Sequence, residues 1–126
     1  MIRSYKLLVF FSAFLGLSAF WLTGCGKRPV AGLSTSDQAA FNQAPPQVKQ
    51  IWDTAVASDR TNNYAAAQEL YYALLRESLD PAEHDAVVKA STAVNERLMA
   101  GVEKGDPAAL AALKELRAHP PNRPMR

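Results

Sequence analysis

One thiol and two imidazoles are the side chains of this 126-residue chain best suited to chemistry: Cys25, His84 and His119. A thiolate is a strong nucleophile and forms thioethers readily. Cys25 follows Leu22-Thr23-Gly24, an aliphatic residue and two small ones. With no second Cys in the chain, no intramolecular disulfide can form. His84 stands between Glu83 and Asp85. Neighbouring residues on a helix diverge and cannot converge on one metal ion, and Glu83 has a sufficient role in helix capping. His119 precedes Pro120-Pro121 near a helix C-terminus. Neither His has a Ser, Cys or carboxylate at a catalytic spacing, and GxSxG, HExxH, P-loop and GxGxxG patterns do not occur. The expectation is a non-enzymatic protein with no metal and no dissociable cofactor.

The elements that must position Cys25 are in the first 24 residues. Arg3 and Lys6 form a basic n-region, and residues 7–22, LLVFFSAFLGLSAFWL, form an apolar h-region. Crossing roughly 30 Å of hydrocarbon takes about 20 apolar residues, so this run reads as a cleaved signal peptide, 1–24, and not as a permanent span. The segment Leu22-Thr23-Gly24-Cys25 resembles the lipobox of bacterial lipoproteins at all four positions. The resemblance implies a diacylglyceryl group on the Cys25 sulfur, cleavage between Gly24 and Cys25, and N-acylation of the new amine. It also implies a cell-envelope location, and Gly26 in place of Asp implies the periplasmic face of the outer membrane in a diderm host. Multiple acyl chains give stable anchoring where a single chain does not.

Removing the leader changes what the composition says. The whole chain has 14 Lys plus Arg against 12 Asp plus Glu. Two of the basic residues lie in the leader, so no cationic excess remains to neutralise phosphates, and a nucleic-acid partner is not expected. Residues 25–46 carry Pro29, Gly32, Pro45 and Pro46 and read as the lipidated Cys followed by a flexible tether. Within it Ser34-Thr35-Ser36-Asp37 supplies caps for a short helix, and Phe41 is positioned to dock on the domain.

From residue 47 the apolar spacing is helical. Val48, Ile51, Trp52, Ala55 and Val56 share one face. After the polar break 59–63, Tyr64, Ala67, Leu70, Tyr71, Leu74 and Leu75 share another. Asp80-Pro81-Ala82-Glu83 is a strong start signal for a third helix with the stripe Val87, Ala90, Val94, Leu98 and Val102. Asp106-Pro107 starts a fourth, bearing Leu110, Leu113 and Leu116, and residues 119–126 read as a disordered tail. The expected fold is all-α: a small antiparallel bundle of about four helices over 47–118, without strands.

Residues 47–81 also resemble a degenerate tetratricopeptide-like hairpin. Tyr64 follows the turn, Ala67 comes three residues later, and Trp52 lies near the repeat's aromatic position. The turn holds Asn62-Asn63 in place of the usual Gly-Asp type, and 82–118 do not repeat the pattern. The resemblance implies a protein-binding helical module with an envelope protein as partner, and Trp52, Tyr64 and Tyr72 are its candidate contact residues. A ligand-binding or enzyme-inhibiting regulatory lipoprotein is the alternative, favoured if an apolar groove lies beside Trp52 and Tyr64.

Overall fold

The structure is a computed structural model that describes residue 30 and residues 32–122. Its described part holds five helices and no strand: α1 (Thr35–Ala39), α2 (Pro46–Arg60), α3 (Tyr64–Leu74), α4 (Pro81–Glu103) and α5 (Pro107–Ala118). The small all-α bundle is the architecture expected from the periodicity.

Local chemistry sets the helix starts. Ser34 and Asp37 form a reciprocal capping box on α1, and Asp80 and Glu83 form another on α4. Each box satisfies two backbone donors that the first helical turn leaves without intrahelical partners. Pro46, Pro81 and Pro107 sit at first-turn positions, where a missing N–H costs nothing.

The helix ends are equally specific. After α4, Gly105 has φ +73°, its N–H bonds to Val102 O at 3.0 Å, and the Asp106 N–H reaches Gly101 O at 2.9 Å. That pair of bonds is a Schellman ending, which needs a left-handed residue after the cap. After α2 the same pattern is made by Asn62, φ +57°, with Asn62 N–H on Asp59 O and Asn63 N–H on Ser58 O. Asparagine tolerates the left-handed region better than other side chains, so Asn62 does here what glycine does after α4. The turn that departs from the tetratricopeptide pattern therefore still folds α3 back onto α2.

α2 and α3 pair, α4 packs on α3, α5 lies against α4 and α3, and α1 rests on α4. Gly101 allows the α4–α5 approach, because a Cβ there would lie 2.7 Å from Ala109 Cβ. This close packing changes the expected core face of α5. Ala109 and Ala112 are buried, Leu113 and Leu116 are partly so, and Leu110 is 46% exposed.

The folded unit begins earlier than the expected boundary at residue 47. Val30, Leu33 and Phe41, all placed in the tether by the sequence reading, are buried in the same core as Trp52. Phe41 is stacked on Trp52 with ring centroids 4.1 Å apart, and Trp52 leans on Tyr71 at 6.0 Å. Lys89 of α4 donates to Asp37 of α1 at 3.0 Å, fixing the short helix from the other side. Gly32, φ +86°, lies so close to α4 that a Cβ would approach Ala93 Cβ to 2.7 Å. These residues are too widely spaced along the chain to show as a helical face, which is why composition alone assigned them to a tether. The C-terminal boundary shifts as well: Arg76, in the turn after α3, donates to the Asn122 carbonyl at 2.9 Å, so residues 119–122 return onto the bundle.

Candidate functional site

Cys25, Gly24 and the signal segment lie outside the described residues. Among the described residues no helix is long and apolar enough to cross a membrane, and no group of His, Cys, Asp and Glu is placed to hold a metal ion. His84 and Asp85 approach to 4.0 Å but are both well exposed.

The three aromatic candidates separate. Trp52 is 3% exposed and Tyr64 7% exposed, so both are core residues, and they are corrected as contact residues on that ground. The aromatic face of Trp52, which an apolar ligand would need, is covered by Phe41. Tyr72 is half-buried on α3, one helical step from the fully buried Tyr71.

A buried polar junction joins α2, α3 and α4. The Tyr71 hydroxyl donates to Asp59 Oδ2 at 3.0 Å, and the Arg97 guanidinium bonds Asp59 Oδ1. The Asp59 side chain has no exposed surface. Burial and the adjacent Asp59 carboxylate push the Tyr71 phenol far above its ordinary range, so it stays protonated and serves as a donor only. The junction links one carboxylate of α2 to a tyrosine of α3 and an arginine of α4. Its effect is to fix three helices at one point. The sequence reading placed Asp59 in a polar break between helices, whereas α2 continues to Arg60.

Concave surfaces among the described residues include the following two. The first lies between α3, the last turn of α5 and residues 119–122 and encloses about 210 Å³. Ala65 and Leu116 form apolar wall, while Glu69, Glu115 and His119 bring polar groups to it. Ala65 and Glu69 are one turn apart on α3, and the contact between Arg76 and Asn122 holds the closing segment in place. Arg76 lines the cleft beside the two carboxylates, so its rim carries both signs around a small apolar floor, which suits one inserted side chain with an aliphatic stem and a polar end. Nothing local in the sequence marks this cleft, since its two sides are 46 residues apart at the Arg76–Asn122 bond.

The second surface is an open groove of about 680 Å³ between α1 and α2, bordered by Gln38, Lys49, Asp53 and Arg60 over Trp52 and Val56. Lys49 and Asp53 are paired along its edge at 2.8 Å. Arg60 Nε is buried there without a hydrogen-bond partner.

Comparison with protein-family models, with curated proteins and with solved structures finds no match to this chain.

Proposed function

We propose that this chain is an envelope lipoprotein, anchored through acylated Cys25, whose helical domain binds another protein. The observation that carries the anchoring is the run Leu22-Thr23-Gly24-Cys25 set directly after a basic and an apolar segment, with the chain's only thiol at the acceptor position. Export to an oxidising compartment is consistent with that single Cys, because acylation removes a thiol that would otherwise be exposed to oxidation. On this reading the protein acts at the periplasmic side of a membrane, the outer one in a diderm host.

Protein binding is supported by the form of the domain. The cleft between α3 and α5, at about 210 Å³, is smaller than ordinary small-molecule pockets and is sized for one side chain of a partner. The partner suited to it is an envelope protein presenting one side chain on an exposed segment.

The α1–α2 groove favours the second reading, a ligand-binding or regulatory lipoprotein, through one feature: the unpartnered Arg60 Nε beside it. Photo-crosslinking in cells from positions Glu69 and Glu115, with Gln38 as the comparison, separates the two. Capture of one protein from the α3–α5 positions supports the first reading. Absence of capture there, with a small molecule co-purifying and lost on Arg60→Ala, contradicts it. Globomycin treatment tests the anchor: accumulation of the uncleaved form supports it, and unchanged size refutes it.

A further inference from the structure

The lipid anchor and the folded domain are separated by very little chain. Val30 is 3% exposed and belongs to the core, and Gly32 is pressed against Ala93 of α4. Four residues, 26–29, therefore lie between Cys25 and a fixed point on the domain, a distance of five Cα–Cα steps. A fully extended chain covers at most about 3.6 Å per residue, so that connection cannot exceed about 18 Å. A folded unit of about 90 residues is roughly 30 Å across, so the connector is shorter than the domain it holds.

We infer that the α1 side of α4, around the Gly32–Ala93 contact, is held at the bilayer surface that carries the anchor. The inference rests on the proposed acylation of Cys25. A tether of 21 residues would let every face of the domain turn toward the membrane; a four-residue connector does not. The flank where the chain enters stays beside the lipid headgroups, while surfaces across the domain face the aqueous compartment. Lys27 and Arg28 lie within the connector, and their charge complements anionic headgroups at that position.

The test uses the full chain, acylated in cells, purified, and returned to phosphatidylethanolamine/phosphatidylglycerol vesicles doped with a nickel-chelating lipid. Acylation occupies Cys25, so a nitroxide can be placed selectively at Thr35→Cys, exposed on α1, or at Lys114→Cys, exposed on α5. Relaxation by the surface nickel is expected to be several-fold greater at position 35 than at 114. Inserting about 20 Gly/Ser residues after Gly26 adds roughly 25 Å of mean reach and is expected to remove the difference. Equal relaxation at both sites in a vesicle-bound protein overturns the close seat and leaves the anchor standing. A difference that survives the insertion also overturns it. If mass spectrometry finds no acyl group on Cys25, the inference and the anchoring proposal fall together.

Discussion

Replacing Phe41 by Ala tests whether the segment before residue 47 is part of the fold. Phe41 is 1% exposed and stacked on Trp52, so truncation removes a fully buried ring and uncovers one face of another. Phe→Ala in a core costs about 3–5 kcal/mol, partly in lost transfer energy and partly in the cavity left behind. A unit of about 90 residues has a total stability of roughly 5–14 kcal/mol, so the loss is a large share of it. At about 4–8 °C per kcal/mol for a domain of this size, Tm is expected to fall by on the order of 12 °C or more. The assay is thermal unfolding of the detergent-solubilised chain followed by circular dichroism at 222 nm. Leu110→Ala is the control, because Leu110 is 46% exposed and its loss should stay within about 0.5 kcal/mol. If Phe41→Ala lowers Tm by less than about 3 °C, well below the expected scale, the segment is not docked and the short connector to Cys25 loses its basis.

Three further perturbations address the bundle itself. Asp59→Ala leaves the Tyr71 hydroxyl and the Arg97 guanidinium without their shared acceptor and should cost about 3–5 kcal/mol, whereas Asp59→Leu combined with Arg97→Met and Tyr71→Phe should cost much less; urea unfolding of both reads the difference. Gly101→Ala should destabilise despite a better helix propensity, because its Cβ meets Ala109, and adding Ala109→Gly should restore stability, again read by unfolding. The Asp37 carboxyl is held below its ordinary 3.8 by the Ser34 backbone N–H, the Ser34 hydroxyl and Lys89. Its contribution to stability is therefore complete well above pH 3.8 and is lost as pH falls from there through the lower folded value, so Asp37→Asn should flatten the acid limb of a Tm-against-pH curve.

The sequence is most legible where local chemistry decides. Asp80-Pro81-Ala82-Glu83 announces α4, Asp106-Pro107 announces α5, and the Ser34 cap announces α1 at the residues where the structure starts them. It is least legible where distant residues decide. Asp59 reads as part of a polar break because its partners Tyr71 and Arg97 are 12 and 38 residues away. Val30 and Leu33 sit among Pro and Gly and acquire their burial only when α4 is in place. Leu110 outranks Ala109 in hydrophobicity, yet the close approach at Gly101 selects the smaller side chain for the interface. For the candidate site, Trp52 and Tyr64 show how an aromatic can be singled out correctly as important and still be important for packing. The cleft between α3 and α5 has no local signature, because the return of residues 119–122 onto Arg76 is a tertiary event.

The central claim is that Cys25 carries the lipid that holds this domain on a membrane. The most direct measurement is the mass of the N-terminal peptide of the mature protein, taken with membrane fractionation of the unaltered chain and of Cys25→Ala. The account expects a peptide that begins at Cys25 and bears a diacylglyceryl thioether, with the unaltered protein in the membrane fraction and the variant accumulating uncleaved. A mature N-terminus elsewhere, or an unmodified Cys25 in a protein that fractionates as the variant does, would contradict it.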